Sequence, residues 1–339
     1  MSLLQNRYWL ALCIGTLFIN CTSTTTATTQ ENIKDAANYE LVKDWPQLPQ
    51  EYKLSQVTGI GIDTKQNIFL FHRTGRRWTE PFPDSLISSN TIVQLDRHTG
   101  KVLNSWGANY FIMPHGLTVD GDNNVWVTDV ALHQVFKFTH DGKLLMKWGE
   151  AKKPGNDSLH FNMPTDVVVS RDGSFYVSDG YGNSRIVRFS PAGTYLFEWG
   201  KKGDKPGEFN TPHGIDVDAH GHVYVADREN NRIQKFDAKG TFLKQWKNNQ
   251  AIQLYSLSVN RANNHLFAID YLVVNDTLAK GSDILHFDST LGQLDRFGRT
   301  GSYNTPDCWY HDIAIDDEGS IYVGDIRGNR IQKFRKTYK

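Results

Sequence analysis

Apolar and polar residues alternate in short runs along most of the chain beyond residue 55, and Asp, Asn and Gly break the runs. One stretch reads His115-Gly116-Leu117-Thr118-Val119, Val125-Trp126-Val127-Thr128-Asp129, Val135-Phe136-Lys137-Phe138 and Leu145-Met146-Lys147-Trp148-Gly149. A period of two puts successive side chains on opposite faces, so these runs predict strands rather than helices. The pattern of residues 113–149 returns closely in 163–200 and 211–247. It returns more loosely in 56–107, with an insertion at 74–90, and in 255–298, with an insertion at 272–282. A sixth copy, 309–334, stops after Arg330-Ile331-Gln332-Lys333-Phe334. Short strands grouped into repeating units predict an all-β chain folded as a six-bladed β-propeller.

Five units end on an aromatic residue, Trp106, Trp148, Trp199, Trp246 or Phe297, and the sixth lacks that last strand. The segment Tyr39-Glu40-Leu41-Val42-Lys43-Asp44-Trp45 offers the absent strand and its aromatic. It is expected to pair with the strand ending at Phe334, so that an N-terminal strand completes the last blade and removes the exposed edges of an open ring. The aromatics at these ends are expected to pack blade against blade, not to stack on ligands.

With 39% hydrophobic residues in 339, the chain can bury a sizeable core, and the repeats make residues 38–339 one closed domain. Lys+Arg and Asp+Glu both total 37, so no general electrostatic pull toward nucleic acid is expected. The pairs Lys152-Lys153 and Lys201-Lys202 fit solvated loops. Before the propeller, Arg7 precedes an apolar stretch from Tyr8 to Ile19, too short for a comfortable span, which predicts an export signal over residues 1–21. Cys21 and the Thr-rich run behind it resemble a lipoprotein signal, with residues 22–37 as a flexible tether. The expectation is an exported, periplasmic or cell-surface protein, a monomer, with a lipid anchor at Cys21 as one form of attachment. Cys13 and Cys21 lie in this leader and Cys308 stands alone, so no disulfide framework is expected.

Three histidines give the chemistry its first handle. His115, His213 and His311 are spaced 98 residues apart, each heads the first strand of its unit, and each is followed 14 residues later by an Asp. They belong to units two, four and six, about 120 degrees apart in a six-fold ring, so their imidazoles can meet on the axis at the ~2.0–2.1 Å that Zn²⁺ requires. Three nitrogen ligands leave a fourth position open, the pattern of a catalytic zinc. The loop after the second strand opens on the same face, and it carries Arg73 in unit one, Tyr181 in unit three and Arg228 in unit four. Thr58 occupies the histidine slot of unit one. Asp312 follows His311 where the other two copies have Gly, and its carboxylate can reach down the channel to a hard cation. His72 and His133 suit supporting hydrogen bonds, and Asp129, Asp179, Asp227, Asp270 and Asp325 suit turns as acceptors for backbone amides.

From about Gln56 to Phe334 the chain resembles the peptidyl-α-hydroxyglycine α-amidating lyases. The resemblance rests on Phe71-His72-Arg73, Met113-Pro114-His115-Gly116-Leu117, Val127 to Lys137, Pro164-Thr165-Asp166-Val167, Ser178-Asp179-Gly180-Tyr181 and Val225-Ala226-Asp227-Arg228-Glu229-Asn230. It implies zinc on His115, His213 and His311, a catalytic Tyr181, and active-site arginines Arg73 and Arg228. It further implies a structural calcium held by Asp312 and the backbone carbonyls of Val57 and Leu117, where oxygen donors suit the harder ion. The implied reaction cleaves the N–C bond of a peptidyl-α-hydroxyglycine, or a related α-hydroxy amide, to an amide and glyoxylate, without a redox cofactor. The substrate is then a peptide or small molecule.

Two departures from the family stand out. Trp309-Tyr310 replaces the Met-Pro before the third histidine, and the family's two disulfides are absent, with Asn162 and Gly182 at one pair and Tyr224 and Lys235 at the other. Two other functions remain open. A calcium-dependent lactonase-type hydrolase would surround the channel with carboxylates and Asn instead of three histidines. A non-catalytic repeat propeller would bind protein or glycan at its rim and tolerate loss of all three.

Overall fold

Each alternating run forms a strand, and the strands assemble in sequence order into six antiparallel sheets. The computed structural model describes residues 38–248, 252–275, 278–299 and 308–337. The export signal (1–21), the tether (22–37) and Cys21 lie outside the described residues, as does part of the 272–282 insertion. No α-helix occurs among the described residues. The fold is the expected six-bladed β-propeller.

The innermost strands of the six blades are Val57–Ile62, Pro114–Val119, Asp166–Val169, Pro212–Val217, Ile252–Asn260 and Tyr310–Ile315. Second strands such as Val125–Asp129, Phe175–Asp179 and Val223–Asp227 are buried along their whole length, because neighbouring blades cover both faces. That explains their near-continuous apolar character. Outermost strands such as Tyr195–Trp199 have one face toward solvent and keep a clean alternation. Blade five carries an extra strand, Leu278–Gly281, paired with a long second strand, His265–Asn275.

Closure is as expected. Tyr39–Leu41 pairs antiparallel with Arg330–Lys336, in the register Tyr39 to Lys336 and Leu41 to Phe334. Trp45 then takes the sixth aromatic place. A Cβ added to Gly142 would stand 2.6 Å from Trp106 of the preceding blade, at Gly193 2.6 Å from Trp148, at Gly240 2.7 Å from Trp199, and at Gly100 2.9 Å from Trp45. Each indole therefore docks on a turn glycine of the next blade, and the last contact joins blade six to blade one. Glycine is required at these turns twice over, since Gly142 also has a φ of +94°.

Packing replaces the absent disulfides. The Asn162 side-chain amide packs directly on Gly182, and the Gly182 amide donates to the Asn162 carbonyl at 2.9 Å. Tyr224 pairs across strands with Lys235, whose ammonium lies 5.0 Å from the ring. Cys308 is a buried free thiol.

Candidate metal centre

In the slot that His115, His213 and His311 take in their blades, the intervening blades carry Thr165, Tyr255 and Thr58, so histidines alternate with other residues around the ring. The three imidazoles meet. Their ring centroids are 4.6, 4.8 and 5.0 Å apart, and they offer three ligand atoms within 4.8 Å of one another, all on buried residues.

The intervening residues fix how each ring is held. Nδ1–H of His115 donates to the Thr165 carbonyl at 2.6 Å, that of His213 to Tyr255 at 2.6 Å, and that of His311 to Thr58 at 2.9 Å. Every histidine thus leans on the backbone of the next blade. With the proton at Nδ1, each Nε2 presents a lone pair, a tautomer assigned here from the hydrogen-bond network. Burial holds all three rings neutral, pulling His115 and His213 well below their ordinary value and His311 down to about 3. Tyr181 OH lies 3.1 Å from Nε2 of His115 and 3.0 Å from Nε2 of His213. One hydroxyl proton cannot serve two acceptors, so lone pairs converge here without enough donors. A cation that favours nitrogen fits that donor set.

Two guanidiniums stand beside it. Arg73 is buried, donating Nε–H to the Pro114 carbonyl at 3.1 Å and Nη1–H to Gln56 Oε1 at 3.0 Å. Burial draws it down to about 10, which leaves it charged at neutral pH. Arg228 lies between the rings of Tyr181 and Tyr255, at 5.2 and 5.1 Å, and donates to Tyr181 OH at 3.3 Å. Glu229 accepts from Arg228 Nε at 2.8 Å and from Gln253 at 3.1 and 3.0 Å, and so restrains the guanidinium. All six expected residues, the three histidines with Tyr181, Arg73 and Arg228, share one mouth.

Deeper in the channel a cavity of about 280 Å³ is lined in part by Leu117, Asp166, Asp216 and Asp312. Asp312 accepts from the Ile60 amide and from Ser256 Oγ, both at 2.6 Å, and burial pushes its carboxyl upward. Leu117 and Asp312 line this cavity, and the Val57 carbonyl lies near Gly324 of blade six. Asp166 and Asp216 were not singled out by the sequence. Their signal is only their place, since Asp166 takes in blade three the slot that Asp312 takes in blade six, and Asp216 lies two residues beyond that slot in blade four.

Of the recurring aspartates, Asp129 and Asp325 serve turns, whereas Asp270 pairs with Arg296 and Arg299. Asp129 accepts from the amides of Ile112, Met113, Ala131 and Leu132, and Asp325 from those of Trp309, Arg327 and Gly328. Nδ1 of His133 accepts from the Met163 amide at 2.9 Å. His72 is buried with neither ring nitrogen bonded to another described residue, and burial lowers it to about 4. The unfolded chain therefore binds a proton below pH 6.5 that the folded chain refuses until about pH 4. Stability tied to the neutral ring is complete above pH 6.5 and declines as pH falls toward 4. His72→Leu is expected to lose about 3 kcal/mol less stability than the native protein on going from pH 7 to pH 4, as read by denaturant unfolding. Parallel losses in both proteins would contradict the neutral, buried ring.

The NHL repeat family matches residues 111–138, 161–189 and 209–236. Over 335 residues the chain is 38% identical to peptidyl-glycine alpha-amidating monooxygenase B of Xenopus laevis, covering 90% of this chain and 36% of that protein. The chain thus spans about a third of the length of the vertebrate relatives it matches. It is 33% identical over 303 residues to a probable peptidyl-alpha-hydroxyglycine alpha-amidating lyase of Caenorhabditis elegans, covering 84% of this chain and 83% of that one. A solved gluconolactonase from Xanthomonas campestris shares the fold, with a TM-score of 0.57 at 14% identity, over 84% of this chain and 87% of that chain.

Proposed function

Because the chain belongs to the peptidyl-α-hydroxyglycine α-amidating lyase family, we propose that it cleaves the N–C bond of a peptidyl-α-hydroxyglycine, or a related α-hydroxy amide, releasing an amide and glyoxylate. The observation that carries the reading is the convergence of three neutral imidazoles, one phenol and two guanidiniums on a single mouth.

Zinc is the ion proposed for His115, His213 and His311, and when bound it supplies Lewis acidity that lowers the cost of a negative oxygen on the substrate. Arg73 and Arg228 bind the substrate carboxylate, for which charge-assisted donors are suited. Tyr181, once its own proton has left to solvent, takes the substrate's hydroxyl proton as the phenolate. The oxygen's electron pair then forms the C=O bond of glyoxylate as the C–N bond breaks, and the nitrogen recovers a proton to become the amide. Arg228, already donating to the Tyr181 oxygen, stabilises the phenolate before it takes the proton. A calcium ion in the channel below is proposed at Asp312 with the backbone carbonyls of Val57 and Leu117, Asp312 and Leu117 lining the cavity.

Incubation with α-hydroxyhippurate is expected to release glyoxylate, to stop after treatment with a strong chelator, and to resume when zinc is restored. A zinc-loaded protein that released none would overturn the reaction.

A further inference from the structure

The mouth of the metal centre is walled by aromatic rings that the proposed reaction leaves unused. Trp78, from the insertion after the second strand of blade one, lies 5.1 Å from Tyr181 of blade three and 4.8 Å from Phe82, with the Arg73 guanidinium 5.6 Å from its ring. It cannot swing freely, because its segment is tied down. Arg76 donates to the Ser85 carbonyl at 2.6 Å, the Ile87 amide donates to the Phe111 carbonyl at 2.7 Å, and the Asn109 amide to the Ile87 carbonyl at 2.7 Å.

The other side carries a matching plate. Trp309 stacks on Tyr271 with centroids 4.3 Å apart and planes 4° from parallel, and its edge meets Tyr255 at 5.8 Å. Its backbone is pinned by Asp325, which accepts from the Trp309 amide at 2.9 Å. Contacts therefore run without a break from Trp78 through Tyr181, Arg228 and Tyr255 to Trp309. Trp78 and Trp309 are only half-buried, whereas Tyr255 and Tyr271 behind them are buried.

Charge sets the direction of a substrate in this frame. In the proposed reaction the two guanidiniums, Arg73 beside Trp78 and Arg228 between Tyr181 and Tyr255, draw in the carboxylate. The acyl group on the far side of the amide nitrogen then points outward, where it meets indole instead of charge or water.

We infer that Trp78 and Trp309 form a subsite for an aromatic group on the acyl side of the scissile bond, and that Trp309, held flat on Tyr271, selects aromatic substrates over short aliphatic ones. The inference rests on the proposed reaction only for which end of the substrate faces the arginines. Flat rings and large apolar groups gain both burial and stacking from such a wall, which a methyl group cannot.

The test uses zinc-loaded protein and two ligands that lack the hydroxyl and cannot react, hippurate and N-acetylglycine, titrated by calorimetry. Hippurate is expected to bind on the order of tenfold more tightly. Trp309→Ala is expected to bring the two affinities within about threefold while zinc content stays at one ion per chain. Trp309→Leu keeps apolar bulk without the flat face and is expected to narrow the ratio as well, which separates stacking from collapse of the wall. Equal affinities in the native protein, or a ratio unmoved by both Trp309 variants, would overturn the subsite. A tenfold ratio accompanied by no glyoxylate from α-hydroxyhippurate would instead overturn the reaction and leave the subsite standing.

Discussion

His213→Ala is expected to remove the metal and glyoxylate release together. His213 supplies one of three converging ring nitrogens, and no other described His, Cys, Asp or Glu joins the cluster to take its place. Supporting hydrogen bonds around a metal typically contribute 10–100-fold in affinity, so loss of a ligand itself should cost more than about 100-fold. Dialysis against a weak chelator followed by metal analysis would read this directly. The native protein should keep one zinc per chain and the variant almost none. Tyr255→Phe is the matched control. His213 leans on the backbone carbonyl of Tyr255, not on its hydroxyl, so that contact survives the change. Full zinc occupancy in His213→Ala would refute the assignment of the triad.

The triad was legible in the sequence because ring symmetry turns equal spacing into convergence. A residue that recurs every 98 positions, at the head of every second repeat, has only one place to go in a six-fold ring. Arg73 and Arg228 were legible by the same counting, since each follows its second strand by a fixed step. Closure was legible because five aromatic ends imply a sixth, and Trp45 fills it against Gly100. What repeats could not reveal lies between repeats. The carbonyls of Thr58, Thr165 and Tyr255 orient the histidines through backbone atoms, which carry no side-chain signature. Trp78 crosses from an insertion in blade one to Tyr181 in blade three, a contact with no periodic trace. The stack of Trp309 on Tyr271 likewise joins blade six to the elongated strand of blade five. Substrate-facing walls built from insertions escape a reading founded on the unit, whereas a centre built from the units does not.

Tyr181→Phe is expected to lower kcat by about 10²–10⁴-fold, the range for loss of a positioned proton acceptor, while zinc stays in place. The change deletes one oxygen and little else. The ring remains to pack on Trp78 at 5.1 Å and to lie 5.2 Å from the Arg228 guanidinium, so the wall and the arginine keep their supports. The deleted atom is the one that lies 3.1 and 3.0 Å from two ring nitrogens and accepts from Arg228 at 3.3 Å. Substrate binding through Arg73 and Arg228 should persist, which places the loss in kcat with KM nearly constant. Steady-state glyoxylate release, hippurate affinity and metal content measured on one preparation separate the possible origins. A fall in all three would mean that Tyr181 holds the centre together. A fall in turnover alone is the result expected of a base, and unchanged turnover would leave the hydroxyl proton to some other acceptor. Loss of turnover alone is the outcome the proposed reaction requires, because the phenol oxygen sits among the imidazoles and guanidinium, where that reaction places the substrate hydroxyl.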